Sequence, residues 1–397
     1  MRPPRILIAT AAALCVPATV AAAALPAGAS TARGATWAHS CPAQPGYANC
    51  HALLRTDLAA HGANASAAVS GYGPSDLQSA SALPSSTAGS GQTVAIVDAY
   101  DDPNAASDLA VYRSHFGLPA CTTANGCFRK VNQSGGTSYP RHNGGWAEEI
   151  SLDLDMVSAI CPNCHILLVE TSSASMTSLG TGVNTAVRLG ATAISNSYGG
   201  SESSSDTSYD ASYFNHPGVA ITASSGDNGY GVEYPAASRY VTAVGGTSLT
   251  RSSNSRGWSE TAWSGAGSGC SRYDAQPSWQ TGVVASSCAK RTVADVSAVA
   301  DPNTGVAVYD SYSYQGYSGW LEFGGTSVAS PIIASVYALA GNASSVSNGS
   351  YPYSHTSSLN DVTSGSNGSC SGSALCTARS GWDGPTGLGT PKGTGAF

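Results

Sequence analysis

The chain has 397 residues, of which only 10% are charged, and its formal net charge is −7. That balance gives a nucleic-acid partner no electrostatic support, and beyond the N-terminal leader no stretch is long and apolar enough to span a bilayer, so no membrane partner is expected. The length suits one large α/β domain with an N-terminal appendage.

Residues 1–29 carry Arg2 and Arg5, an alanine-rich apolar run and then Ala27-Gly28-Ala29. This is the pattern of a cleavable signal peptide, so a secreted, extracellular protein is expected. Cys15 lies inside the run. The other ten cysteines fall as sequence neighbours, 41 with 50, 121 with 127, 161 with 164, 270 with 288 and 370 with 376. Five short-loop disulfides in an oxidising compartment are the simplest account. Cys161-Pro162-Asn163-Cys164-His165 also matches a c-type haem attachment pattern, but a short disulfide closing a turn between helix and strand explains it without a haem.

Residues 30–71 have little periodic apolar pattern and form the expected appendage, with the main domain running from Tyr72 to the C-terminus at residue 397. Thr93–Asp98 reads as a buried strand and Glu148–Ala159 as a helix. His165–Glu170 is a strand, Leu179–Leu189 a helix and Ala191–Asn196 a strand, with further strands at Val219–Ala223 and Tyr240–Val244. Strands alternating with helices predict a mostly parallel sheet covered on both faces, with sites at the C-terminal strand ends.

Near the C-terminus, Gly324-Gly325-Thr326-Ser327 follows the strand-like Trp320–Phe323 and precedes an apolar helix over Val328–Ala340. The glycines permit a sharp turn, which presents Ser327 at a helix N-terminus where N–H groups favour an oxyanion. Ser327 is thus either a simple helix cap or a nucleophile. A nucleophile needs a base, and no histidine stands where a His-dependent serine protease would require one. His61 precedes the first strand, and His142 sits in a loop-like segment. Asp98, ending the first strand, could serve such an enzyme as its aspartate. The expected base position is instead filled by Glu149-Ile150-Ser151-Leu152-Asp153. Glu149 and Asp153, four apart, share one face of an otherwise apolar helix. Confined together, such carboxyls have raised pKa values and can share a proton. Asp227, in Ser225-Gly226-Asp227 after a strand, is a turn residue or, if protonated, a donor to an oxyanion.

Together these segments resemble the sedolisins, the serine-carboxyl peptidases with a subtilisin-like fold. The resemblance runs from Tyr72 to Pro391. It includes Tyr72-x-Pro74-x-x-Leu77, Glu149-x-x-Leu152-Asp153, Ser195-Asn196-Ser197-Tyr198-Gly199 and Ser225-Gly226-Asp227. It continues through Tyr240–Thr247, Asp295-Val296-Ser297-Ala298 and Gly325-Thr326-Ser327. It implies a three-layer αβα fold and an endopeptidase acting on protein or peptide substrates at acidic pH. Ser327 would attack, Glu149 take its proton, Asp153 orient Glu149 and Asp227 steady the oxyanion, while the backbone of Ser195–Gly199 would pair with substrate as an added strand. The resemblance also implies calcium, held by the Asp361 and Asp383 side chains and the carbonyls of Val362, Arg379 and Gly381. Arg379 departs from the glycine usual there. Residues 30–71 become either a short N-terminal segment or a reduced prosegment, where the family usually carries a long folded propeptide, and a monomer is expected. The alternatives are a subtilisin-like His-dependent protease and a calcium-stabilised secreted binding protein on an inactive scaffold.

Overall fold

In the computed structural model, residues 35–62, 69–285 and 287–397 are described, together with Met1 and Pro4; the signal peptide expected at 1–29 lies outside the described residues. The chain divides into units 1–34 and 35–397, and all the described helices and strands belong to the second.

The strand Thr93–Ala99 anchors an eight-stranded sheet. One side of it carries His165–Thr171 and then Phe128–Asn132. The other carries Ala193–Asn196, Ala220–Ser224 and Thr242–Arg251, the last of which also pairs with Val296–Val299 and the antiparallel Trp258–Ala262. All the pairings except that with Trp258–Ala262 are parallel. Alternation along the first strand fixes the layers. Val94 and Ile96 join a core shared with helices Gly144–Ile160 and Thr326–Ala340, while Ala95 and Val97 face Val183 and Ala186 of helix Met176–Arg188. Period-two side chains on a strand covered by helices on both faces produce the three-layer arrangement that the alternation predicts.

The predicted elements are present, with ends shifted by a few residues. The carboxylate helix begins earlier than expected, at Gly144, because the Asn143 side chain accepts a hydrogen bond from Trp146 N at 3.1 Å and caps the first turn. All five cysteine pairs form disulfides. The Cys161–Cys164 bridge closes the turn from that helix into the strand at His165.

Three shorter strands decide what surrounds the site. Asn49–Cys50 lies antiparallel to Tyr198–Ser201, Leu53–Arg55 lies antiparallel to the end of Tyr317–Gly324, and Trp37–His39 pairs back onto Leu53–Arg55. The N-terminal part of this unit is therefore built into the sheets around helix Thr326–Ala340.

Candidate active site

Helix Thr326–Ala340 starts at Gly325, whose φ of +94° belongs to glycine. A Cβ there would collide with the His51 carbonyl oxygen and come within 2.7 Å of Asp227 Oδ2. The turn thus requires both the conformation and the missing side chain. Pro331 has no N–H to bond the carbonyl of Ser327, and Ser197 Oγ stands 3.5 Å from that carbonyl. Ser327 is completely buried. Its hydroxyl lies 2.9 Å from Glu149 Oε2 and 3.1 Å from Ser197 O, so it can donate to the carboxylate.

Helix Gly144–Ile160 packs against helix Thr326–Ala340 and delivers both acids. Glu149 and Asp153 are fully buried. Both Asp153 oxygens accept from Ser197 Oγ, at 2.8 and 2.9 Å. Asp98, at the end of the central strand, completes a cluster of three carboxyls, and neither of its oxygens has a hydrogen-bond partner. Burial, followed by the charges of Asp153 and Asp98, holds Glu149 well above the usual carboxylate range. Burial and then Asp98 do the same to Asp153, and burial pushes Asp98 up to about 8. A buried cluster of this kind holds protons that exposed acids would have lost.

Asp227 stands on the other side of Ser327's helix terminus. Its Oδ1 accepts from Thr326 N at 2.7 Å and from Thr326 Oγ1 at 2.8 Å, whereas Oδ2 is buried without a partner. Burial raises the group to about 6 against the opposing pull of His51 and the Thr326 hydrogen bonds. A protonated Oδ2 would be a free donor beside the helix N-terminus, which is the geometry an oxyanion needs. The four expected residues are thus brought together.

The Ser327 hydroxyl bonds Glu149 and the Ser197 carbonyl, and among the described residues no histidine ring reaches it. His142 is exposed and bonds Asp101 at 2.7 Å through Nδ1. Sequence reasoning missed His51, which belongs to no motif. Its ring is buried, with Nδ1 2.7 Å from Ser224 Oγ and Nε2 3.0 Å from Glu233 Oε2. Burial alone would lower His51, but the charges of Glu233 and Asp227 outweigh it and hold the ring above its ordinary value. Sequence reasoning also missed Glu202, Asp206 and Asp274, whose ligand atoms lie within 4.8 Å of one another. Asp206, with Gly46, Asn49, Gly200 and Tyr234, lines a cavity of about 520 Å³.

The residues expected to hold calcium converge in one loop. Asp361 Oδ2 accepts from Gly381 N at 3.0 Å, Asp383 Oδ2 from Arg379 N at 3.0 Å, and Asp383 Oδ1 from Thr386 N and Oγ1 at 3.0 and 2.8 Å. Val362, beside Asp361, is buried. Gly381 has φ +81°, whereas Arg379 is not among the residues with positive φ, so a side chain is tolerated there. Asp383 is buried, and among the described residues no lysine or arginine pairs with it. A buried carboxylate without a cation beside an exposed second carboxylate fits a hard divalent ion.

Residues 132–354 match the Subtilase family. Kumamolisin of Bacillus sp. (strain MN-32) is 30% identical over 367 residues, a match covering 83% of this chain and 63% of kumamolisin. Sedolisin of Pseudomonas sp. (strain 101) is 36% identical over 205 residues, covering 44% of this chain and 33% of that protein. The chain therefore spans less than two thirds of the length of the curated relatives it matches. Among solved structures, Pseudomonas sedolisin, described as a serine-carboxyl proteinase complexed with two molecules of pseudo-iodotyrostatin, superposes with a TM-score of 0.68 at 27% identity. That match covers 82% of this chain and 96% of the sedolisin chain. A psychrophilic protease, S41, shares the fold at a TM-score of 0.55 and 21% identity, covering 83% of this chain and 99% of its own. The chain belongs to the subtilase family, and the relatives it resembles include the sedolisin of Pseudomonas.

Proposed function

We propose that the protein is a secreted, calcium-binding serine-carboxyl endopeptidase that hydrolyses proteins at acidic pH. The observation that carries this is the 2.9 Å contact between Ser327 Oγ and Glu149 inside a buried carboxyl cluster, with the unpartnered Asp227 Oδ2 across the helix terminus.

The reaction begins when Ser327 attacks the scissile carbonyl and its proton passes to Glu149. Asp153, fixed by Ser197, orients Glu149 and shares the proton held in the cluster. Oδ2 of protonated Asp227 and the N–H of Ser327 stabilise the oxyanion. Glu149 then returns the proton to the leaving amine, and water releases the acyl group by the reverse relay. Because Asp227 must be protonated to donate, its contribution is present below about pH 6 and fades above it. Bound calcium would tie Asp361 to the Arg379–Asp383 loop and neutralise buried Asp383, stabilising the fold without entering the reaction. The five disulfides support export.

The test is hydrolysis of an unfolded protein from about pH 3 to 9, beside Ser327→Ala. Activity confined to the acid side and lost in the variant is expected. Activity centred near pH 8 would point to a histidine mechanism, and a folded but inactive protein to a binding scaffold.

A further inference from the structure

Four carboxyls gather beyond the end of the strand Tyr198–Ser201. Glu202 follows that strand directly, Asp206 begins the short helix Asp206–Tyr209, Asp210 comes one turn later, and Asp274 lies in the strand Gly269–Ala275. Ligand oxygens of Glu202, Asp206 and Asp274 all lie within 4.8 Å of one another. Asp206 and Asp274 are buried, Asp274 with 0% of its surface exposed, and neither Asp274 oxygen meets a hydrogen-bond donor. Its two neighbours are positioned by other groups. Ser203 N and Oγ each donate to Asp206 at 2.8 Å, and Arg272 N and Ser271 Oγ donate to Glu202. Asp210 is engaged elsewhere, its Oδ1 accepting from the Tyr234 hydroxyl at 3.0 Å. Among the described residues no lysine or arginine forms an ion pair with any of the four. A buried carboxylate with neither donor nor counter-charge is strongly disfavoured. Asp274 therefore needs a proton or a cation, and the convergence of oxygens from three elements favours the cation.

We propose that Glu202, Asp206 and Asp274 bind a calcium ion, at a site separate from the Asp361–Asp383 loop, and that the ion fastens the end of the Tyr198–Ser201 strand to the strand Gly269–Ala275. Oxygens sharing one calcium at about 2.3–2.6 Å lie no more than about 5 Å apart, a limit these three atoms meet. The three carboxylates supply negative charge and hard donors, and Asp274 can bind through both oxygens because both are free. Calcium accepts about six to eight oxygens in variable geometry, whereas magnesium demands a near-octahedral set. Donors offered by a strand end, a helix and a second strand therefore suit calcium. Glu202 is half-buried and lines a cavity of about 350 Å³, while Asp206 lines the one of about 520 Å³, so water can reach the ion and complete its shell. The hydrogen bonds from Ser203, Ser271 and Arg272 orient the ligands as the outer shell of a metal site does. The site involves none of the reacting groups at Ser327 and does not rest on the peptidase reading.

Calcium alone is the probe. The full chain and its variants are stripped with chelator, dialysed against calcium at about pH 7, where the carboxylates that bind a metal are ionised, and assayed for calcium per chain by atomic emission. Asp274→Asn, which keeps the shape and removes the charge, should hold one ion fewer than the wild type. Asp383→Ala should also hold one fewer, and the double variant neither. Glu202→Gln, at the half-buried ligand, should weaken the same site by about tenfold or more and serves where Asp274→Asn does not fold. Amide hydrogen exchange locates the ion. Calcium added to Asp383→Ala should slow exchange across residues 199–206 and 269–275, and it should leave the double variant unchanged. A folded Asp274→Asn chain that keeps the wild-type amount of calcium, or exchange that slows only elsewhere, overturns the proposal and leaves a shared proton as what the cluster holds. A single ion lost in Asp383→Ala alone overturns it while leaving the loop site standing.

Discussion

Asp227→Asn separates the carboxylate mechanism from its rivals. In the wild type Oδ1 already accepts both Thr326 donors, so the proton needed for catalysis must sit on Oδ2, which has no other partner. Asparagine reproduces that arrangement, with its oxygen toward Thr326 and its NH₂ toward the oxyanion, and it keeps the donor at every pH. With Asp227 titrating at about 6, only about one wild-type molecule in a hundred retains the proton at pH 8, so this group alone lowers kcat/KM by about 100-fold there. The asparagine variant should lose that part of the alkaline limb and exceed the wild type above about pH 7. Asp227→Ala, with no donor, should fall by roughly 10²- to 10³-fold at acidic pH. The assay is a kcat/KM profile on one peptide for all three proteins. Coincident alkaline limbs in wild type and asparagine variant, or equal losses in both variants at acidic pH, would refute Asp227 as a protonated donor.

Glu149→Gln should reduce kcat by about 10³-fold or more without unfolding the protein, since the amide fills the same space but cannot take the Ser327 proton; single-turnover kinetics and a thermal melt separate the two effects. Thermal stability should be highest in acid. Asp98, raised to about 8, favours the folded state fully below about pH 4, and that contribution disappears as pH rises through 8. Calorimetry should therefore show a Tm several degrees lower near pH 8 than near pH 4, and the opposite trend would contradict the buried cluster. Chelation should lower the Tm of the wild type more than that of Asp383→Ala, and equal shifts in both would remove calcium from the Asp361–Asp383 loop.

The elements that were legible carry their signal locally. Val94–Val97 is an unbroken apolar run, Glu149 and Asp153 stand one turn apart in an apolar helix, and Gly324-Gly325 precedes Ser327. Helix Ala105–His115 is obscure because it buries Asp108 and Arg113 along with Leu109 and Tyr112, so no clean apolar stripe marks it. The strand Val306–Tyr314 ends in alternating serines and tyrosines that read equally well as a loop. His51 was illegible for a different reason. Its place depends on two antiparallel pairings to residues roughly 150 and 270 positions away, and such non-local contacts leave no periodic trace.

The carboxylate helix links chemistry to stability in a way that a histidine would not. Three acids, Asp98, Glu149 and Asp153, are buried among apolar side chains with no lysine or arginine paired to them among the described residues. At neutral pH each proton lost leaves a charge in low dielectric beside two others, which opposes both ionisation and folding. In acid the cluster can hold the protons it needs, and one of them can be exchanged with Ser327 at little cost because its neighbours already share it. A histidine in place of Glu149 would carry a positive charge at that pH, where the carboxyl cluster holds its protons as neutral acids. The acid optimum proposed above would rest on this buried cluster as well as on Asp227, and the same burial should make acid the condition in which the fold is most stable.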